Sequence, residues 1–292
     1  MGDDGHTIYH QGNTVTGTAP GATAAPPDVP TPTPALVACD IEGTLVRAGR
    51  RPTPAVLDAL AAVRAAGHHL VVATGASLSS AVRVVRRLGI RDAWVVAANG
   101  AVTARLRADG YTVVGVEPLA VEAVCRLVTT TRPDLSLATE VIGTGYRVTR
   151  RFPERQLGGH QEVVRGIEGL WARPTPRLVV YGQWALRLAP ALRAAGVTAV
   201  PARVDWVDVT APGVSKATAL ESIRVRLGVA PSRTVAVGDG ENDLEMLRWA
   251  AVSIAMGHAP ERVRAAAHRV TGTIDQDGAA GALMDALLLP TA

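Results

Sequence analysis

Lysine is nearly missing from this chain. Among 30 basic residues in 292, Lys216 is the one lysine and the remainder are arginine. Aromatic residues are also scarce, at 3%. The arginines are scattered, and the densest local groups are Arg47, Arg50 and Arg51, then Arg83, Arg86 and Arg87. Scattered charge with few rings argues against nucleic-acid binding, which uses a dense basic stripe interleaved with stacking side chains. With two cysteines, Cys39 and Cys125, the chain has no disulfide framework and no metal-binding cysteine spacing. Both fall in apolar patterns and read as buried thiols of a reducing compartment. No run approaches the roughly 18 uninterrupted apolar residues that a membrane-spanning helix needs. The expectation is a cytoplasmic protein with neither a membrane nor a nucleic-acid partner.

What remains is ample for a large core. At 48% apolar and 292 residues, the chain can bury one core plus a smaller domain. Its formal charge of +4 reads as solubility, with some attraction for anionic small molecules. Residues 1–34 stand apart. They are rich in Gly, Thr, Ala and Pro, and they lack apolar periodicity, a charged n-region and an apolar h-region. Such a segment is no signal peptide and buries too little to offset its ordering entropy, so it reads as a disordered tail.

From residue 35 onward, short apolar runs alternate with amphipathic segments. Strands are predicted at Leu36–Cys39, His69–Ala73 and Trp94–Ala97, with helices at Pro54–Ala66 and Ser77–Leu88 between them. The rhythm returns late, with helices at Lys216–Leu227, Asp243–Trp249, Ala259–Ala267 and Gly278–Leu289, and strands at Thr234–Val237 and Val252–Ala255. Alternation of this kind predicts a doubly wound α/β fold, a Rossmann-like parallel sheet covered by helices. Between these halves the pattern differs. Strands at Leu135–Thr139, Tyr146–Thr149 and Leu178–Tyr181 interleave with helices at Val121–Thr130 and Trp184–Ala195, which predicts an α+β insertion. The reading divides the chain into a core first part at 35–117, an inserted domain at 118–205, and a core second part at 206–292.

The residues just after the strands carry the chemistry, because ligands in open α/β sheets bind outside the strands' carboxyl ends. Four polar clusters fall there or at the start of a helix: Asp40-Ile41-Glu42-Gly43-Thr44, Thr74-Gly75, Lys216, and Gly238-Asp239-Gly240-Glu241-Asn242-Asp243. Each alone could be an ordinary turn or helix cap. Together they supply carboxylates, hydroxyls, an ammonium and glycine amides, which is what phosphoryl transfer with one Mg²⁺ requires. A chain that writes arginine almost everywhere keeps its lysine here. An ammonium is a compact point charge that fits where a planar fork does not.

This constellation resembles the haloacid dehalogenase superfamily, and within it the Cof-type sugar-phosphatase branch with an inserted C2-type cap. The run Ala255-Met256-Gly257-His258-Ala259-Pro260, the later Thr271-Gly272-Thr273 and Asp277-Gly278, and the Asn99-Gly100-Ala101 turn resemble that branch too. The resemblance covers about 35 to 290 and is weakest across the cap. It implies a Mg²⁺-dependent phosphoric monoester hydrolase acting on a small phosphorylated metabolite, a sugar or polyol phosphate first. Asp40 would be the nucleophile that forms an aspartyl-phosphate. Mg²⁺ would be held by Asp40, the main-chain carbonyl of Glu42 and Asp239, with Asp243 ordering a metal-bound water or ligating directly. Thr74 and the Gly75 amide would grip the phosphoryl oxygens, Lys216 would pair with phosphate and Asp40, and Asn242 would add a phosphate contact.

Three positions depart from the branch. Glu42 stands where an aspartate usually serves as general acid and base, Ala76 where arginine is usual, and Ala98 where serine or threonine is common. The reference pKa values of the two acids are similar, about 3.9 and 4.3, so the proton chemistry survives the change while the reach of the arm differs. A degenerate site used for binding, and a phosphomutase or phosphotransferase that discharges the aspartyl-phosphate to a hydroxyl, stay open as alternatives, as do monomer and homodimer. In the insertion, Arg147, Arg150, Arg151, His160, Arg173 and Trp184 are candidates to face substrate, although most exposed arginines face only solvent. A chain starting at Thr33 is expected to keep the full-length phosphatase activity, measured as phosphate release; a large loss would overturn the reading of the tail.

Overall fold

The computed structural model describes residues 33–47, 49–154 and 156–287. The expected tail therefore lies, as far as residue 32, outside the described residues, as does the end of the helix expected to reach Leu289. In chain order the first half of the core comprises β1 (Leu36–Cys39), α1 (Pro54–Ala65), β2 (His69–Ala73), α2 (Leu78–Arg87), β3 (Ala93–Ala97), β4 (Val102–Arg107) and β5 (Gly110–Val116). The insertion follows with α3 (Val121–Thr131), β6 (Ser136–Val141), β7 (Gly145–Val148), β8 (His160–Val163), β9 (Leu178–Tyr181), α4 (Ala189–Ala194), β10 (Thr198–Arg203) and β11 (Trp206–Thr210). The chain then completes the core with α5 (Lys216–Leu227), β12 (Thr234–Gly238), α6 (Leu244–Trp249), β13 (Val252–Ala255), α7 (Glu261–Arg264), β14 (Arg269–Val270) and α8 (Gly278–Ala286).

The core sheet runs β14-β13-β12-β1-β2-β3-β4-β5. Its strands from β14 to β3 are parallel, and the β4–β5 hairpin extends the edge in antiparallel fashion. In the centre, β1 is buried along its whole length, as a strand covered on both faces must be. Side chains alternate between the faces: Val37 and Cys39 join the layer under α1, α2 and α8, whereas Leu36 and Ala38 join the layer under α5 and α6. Local signals set the helix ends. Thr53 caps α1 by accepting from the Val56 amide at 3.3 Å, and Pro54 opens the helix. A capping box between Ser215 and Thr218 starts α5, and Gly228 in left-handed geometry stops it.

The second sheet runs β10-β11-β9-β6-β7-β8 and is antiparallel apart from the β7–β8 pair. One face packs against α3 and α4. The other carries Tyr146, Phe152, Leu157 and Trp206. Because β11 pairs with both β9 and β10 in this sheet, the insertion extends past residue 205, where the sequence reading ended it. That reading also missed the β4–β5 hairpin and β10. The expected helix at Ala259–Ala267 shrinks to Glu261–Arg264, and the one at Trp184–Ala195 divides into a 3₁₀ turn at Ala185–Leu188 and α4. Pro190 near the start of α4 and Pro260 before α7 allow a helix to begin late but not to propagate backward. Removing the α5 cap by Ser215→Ala is expected to destabilise the fold by about 1 kcal/mol, read as a lower urea midpoint with an unchanged slope.

Candidate active site

The polar clusters found in the sequence meet at the carboxyl ends of β1, β2 and β12 and the start of α5. Lys216 is the first residue of α5 and is completely buried. A helix amino terminus carries partial positive charge and disfavours a cation, so this ammonium must be held by something stronger. Its Nζ donates to Asp40 Oδ1 at 2.5 Å and to Asp243 Oδ1 at 2.6 Å. Burial by itself would lower the ammonium's pKa, but Asp243 and Asp40 hold it above the ordinary lysine value.

Each carboxylate is positioned in turn. The Asp40 amide donates to the carbonyl of Val237 at 3.0 Å, tying the residue to β12. Asp243 Oδ2 accepts from the amides of Asp239 and Gly240, both at 2.9 Å, and so shapes the loop that carries Asp239. Asp239 Oδ1 accepts from the Thr44 hydroxyl at 2.9 Å. Gly43 lies against Asp239 with φ at +88°, and a Cβ there would come within 2.2 Å of Asp239 Oδ2. Only glycine fits that contact and that backbone.

One carboxylate oxygen from each of Asp40, Asp239 and Asp243 falls within 4.8 Å of the others. Burial, then the facing acids, raises the pKa of Asp40 well above the carboxylate range despite Lys216. Asp239 is raised for the same reasons, burial first and Asp243 next. Crowded anionic oxygens of this kind suit a hard divalent cation, which relieves their repulsion through oxygen ligands. The residues present therefore fit Mg²⁺. His258 is a neighbour the sequence reading did not single out. Its Nδ1 accepts from the Ile274 amide at 3.2 Å, so a neutral ring presents Nε2–H toward Asp239 Oδ2, 3.6 Å away.

Across from this cluster, Thr74 is buried and its hydroxyl donates to Glu42 Oε2 at 2.9 Å while accepting from the Ala76 amide at 3.0 Å. The longer acid arm folds back against Thr74, with the rest of Glu42 exposed to the cleft. Asn242 Nδ2 donates to Asn99 Oδ1 at 2.9 Å. Asn99 sits in left-handed geometry, with φ at 54°. Of the sequence candidates, Asp40, Glu42, Gly75, Asn242 and Asp239 line one cleft of about 630 Å³, and Thr74, Lys216 and Asp243 are buried around it. Cys39, directly before Asp40, is buried as expected, and burial raises its thiol pKa to about 12.

The cleft's other wall comes from the inserted sheet, through residues the sequence did not reveal. Arg177 is buried and donates to the carbonyl of Gly75 and to the Tyr146 hydroxyl. It pairs with Glu140 at 3.0 Å and more loosely with Asp208 at 3.5 Å. Burial works against its charge, yet Tyr146, Glu140 and Asp208 keep its pKa above the ordinary arginine value. Asp208 also accepts from Trp206 Nε1 at 3.0 Å and from Asn99 Nδ2 at 3.3 Å. The cap residues nominated from sequence lie elsewhere. Arg147, Arg150, Arg151, His160, Arg173 and Trp184 do not line this cleft; Arg147 pairs with Glu162 at 3.5 Å, and Arg187 covers the Trp184 ring at 4.4 Å. A usable signal did exist in Trp206-Val207-Asp208-Val209, whose alternation puts Trp206 and Asp208 on one face and the valines in the cap core.

The family profile described as haloacid dehalogenase-like hydrolase matches residues 37–137 and 193–283, flanking most of the inserted sheet. Over 251 residues the sequence is 32% identical to the phosphoglycolate phosphatase of Natronomonas pharaonis, covering 84% of this chain and 94% of that protein. A segment of 84 residues is 38% identical to the chloroplastic endoribonuclease YBEY of Arabidopsis thaliana, but it spans only 14% of that protein and 29% of this chain. Among solved structures, the phosphatase BT1666 of Bacteroides thetaiotaomicron superposes with a TM-score of 0.73 at 26% identity, covering 91% of this chain and 99% of that one. The chain belongs to the haloacid dehalogenase-like hydrolases. It is a Cof-type phosphatase of small phosphorylated metabolites, with a separate sheet inserted into the core. No helix among the described residues is long and apolar enough to cross a membrane.

Replacing Lys216 by arginine keeps the charge but puts a planar fork into a pocket shaped for one nitrogen. Lys216→Arg is expected to cut turnover at least about a hundredfold, the scale of a 1 Å misplacement, measured as kcat for phosphate release. Unchanged kcat would return the single lysine to accident.

Proposed function

We propose that this phosphatase hydrolyses the phosphoric monoester of a hydroxyl-bearing metabolite of the sugar or polyol type, through an aspartyl-phosphate on Asp40. The observation that carries the reading is the buried ammonium of Lys216 bridging Asp40 and Asp243 at the floor of the cleft. One carboxylate oxygen of Asp40 attacks phosphorus and the other would help to hold Mg²⁺, with Lys216 offsetting the charge of the pair. The phosphorus–oxygen bond to the organic group then breaks, and the departing oxygen takes a proton from the carboxylic acid of Glu42. In the second half, Glu42 accepts a proton from water, whose oxygen attacks phosphorus and releases Asp40 and inorganic phosphate.

Glu42 is suited to both steps because it reaches the cleft from the loop that carries the nucleophile. Its hydrogen bond from Thr74 supports the reading that the extra methylene is absorbed by folding the arm back. Thr74 and Gly75 orient the phosphoryl oxygens, and Asn242, steadied by Asn99, adds a contact. Asp40, Asp239, Asp243 and the carbonyl of Glu42 would hold Mg²⁺, which when bound offsets charge on the phosphoryl group. The inserted sheet covers the cleft and limits water at the first step.

The test is phosphate release with Mg²⁺ across sugar, polyol, nucleotide and acyl phosphates, with Asp40→Asn as the blank. Turnover is expected with wild type, loss to below a few per cent with Asp40→Asn, and loss on chelation that Mg²⁺ restores. Glu42→Asp is expected to lower kcat, because the site is built around the longer acid; a higher kcat would show Glu42 to be a handicap. Retained activity in Asp40→Asn would overturn the nucleophile assignment.

A further inference from the structure

Two arginines line the cleft, and they differ in kind. Arg177 is buried and already balanced by Glu140 and Asp208. Arg203 has no carboxylate partner among the described residues. It stands at the end of β10, the edge strand of the inserted sheet, where the pairing with β11 slips: Pro201 faces Val207, yet Arg203 faces Trp206. A bulge of this type turns a side chain away from the direction a regular strand would give it. Here it sets the guanidinium over the Trp206 ring, 4.8 Å from the centroid, with Nη2 donating to Gln156 Oε1 at 2.8 Å. Both supports are uncharged, and both belong to the cleft wall. The guanidinium is thus oriented by a ring face and an amide while its charge is unspent.

The rest of the cleft makes that charge unusual. Its other ionisable side chains are the acids Asp40, Glu42, Asp239, Asp208 and Glu241 and the balanced Arg177, so Arg203 is the rim's one open position for an anion. The volume of about 630 Å³ leaves room for a metabolite body well beyond a phosphoryl group, since one water occupies about 30 Å³ in the liquid. A planar fork matches a carboxylate through paired hydrogen bonds. A second phosphoryl group would bring about two charges to a rim that offers the single guanidinium of Arg203, and one guanidinium would not offset them.

We infer that Arg203 is a specificity-determining residue that takes a carboxylate at the end of the substrate remote from phosphorus, so that this enzyme selects phosphorylated hydroxy acids over the corresponding polyol phosphates. The inference rests on the phosphatase reading above and, among its hydroxyl-bearing metabolites, moves the preference from polyols to the acids. It assigns Arg203 no part in the bond-making steps.

The experiment measures binding, so that it stands apart from turnover. Full-length Asp40→Asn protein with Mg²⁺ is titrated calorimetrically with two pairs of ligands, each differing only by carboxylate against hydroxymethyl: 6-phosphogluconate with glucitol 6-phosphate, and 2-phosphoglycolate with glycol phosphate. The acid is expected to bind at least about tenfold more tightly in one pair or both, the scale of a charge-assisted hydrogen bond. Adding Arg203→Gln is expected to abolish that preference by weakening the acid alone, and Arg203→Lys to retain part of it. Equal affinities within both pairs would overturn the inference, as would a loss in Arg203→Gln that is equal for acid and polyol. Failure of wild type to hydrolyse p-nitrophenyl phosphate would count against the phosphatase reading and would leave the binding comparison decisive for Arg203.

Discussion

The arrangement depends on one buried ammonium. Lys216 has lost its water, sits where a helix dipole repels it, and is held by two carboxylates from two other segments. A charge in that position is tolerable only when every partner is in place, because an uncompensated buried ion costs several kcal/mol. The constraint therefore reaches outward through the partners. Asp243 fixes the loop of Asp239 by two amide bonds, and Asp239 requires Gly43 to have no side chain. Asp40 must leave β1 in register with β12. The site and the centre of the sheet are thus stabilised by the same contacts, and a sequence drifting toward arginine could not drift here.

A second consequence concerns Thr74. Its hydroxyl has a single proton, which is given to Glu42, and its oxygen already accepts from Ala76. Donation to a phosphoryl oxygen requires that the proton be taken from Glu42. In the proposed reaction, phosphate arrival and release of the acid arm would then be one event, freeing Glu42 when there is a bond to break. The substitution of glutamate for the usual aspartate makes this geometry available, because the longer arm reaches Thr74.

Much of the core, and the residues that gather at the candidate site, could be read from residues alone. Apolar strands such as Leu36–Cys39 and Thr234–Val237 announce themselves by composition, and the polar residues immediately after them fall at the strand ends by topology. The isolated lysine pointed to its own environment. What stayed hidden depends on contacts distant in sequence. Arg177 meets Gly75 across 102 positions, and Asp208 meets Asn99 across 109, with nothing local to mark either pairing. The bulge that orients Arg203 is likewise a property of two paired strands and not of either one. Conspicuous surface residues such as Trp184 and Arg150 drew notice because composition carries no direction. Phe152, the one phenylalanine in the chain, proved to be part of an aromatic group with Tyr181 and Trp206 on the cap sheet.

A polar string runs from the Gly75 carbonyl through Arg177, Asp208 and Asn99 to Asn242, stitching the inserted sheet to three core loops. Its members are mutually dependent, so a change at one link must be matched at the next, and descent with modification can explore them only slowly. Arg203 lies outside that string, on an exposed bulge whose supports are a ring face and an amide. Selection can therefore rewrite the outer rim residue by residue while the stitched interior stays fixed. On this scaffold new substrate preferences are accessible by single steps at the bulge, and new chemistry is not.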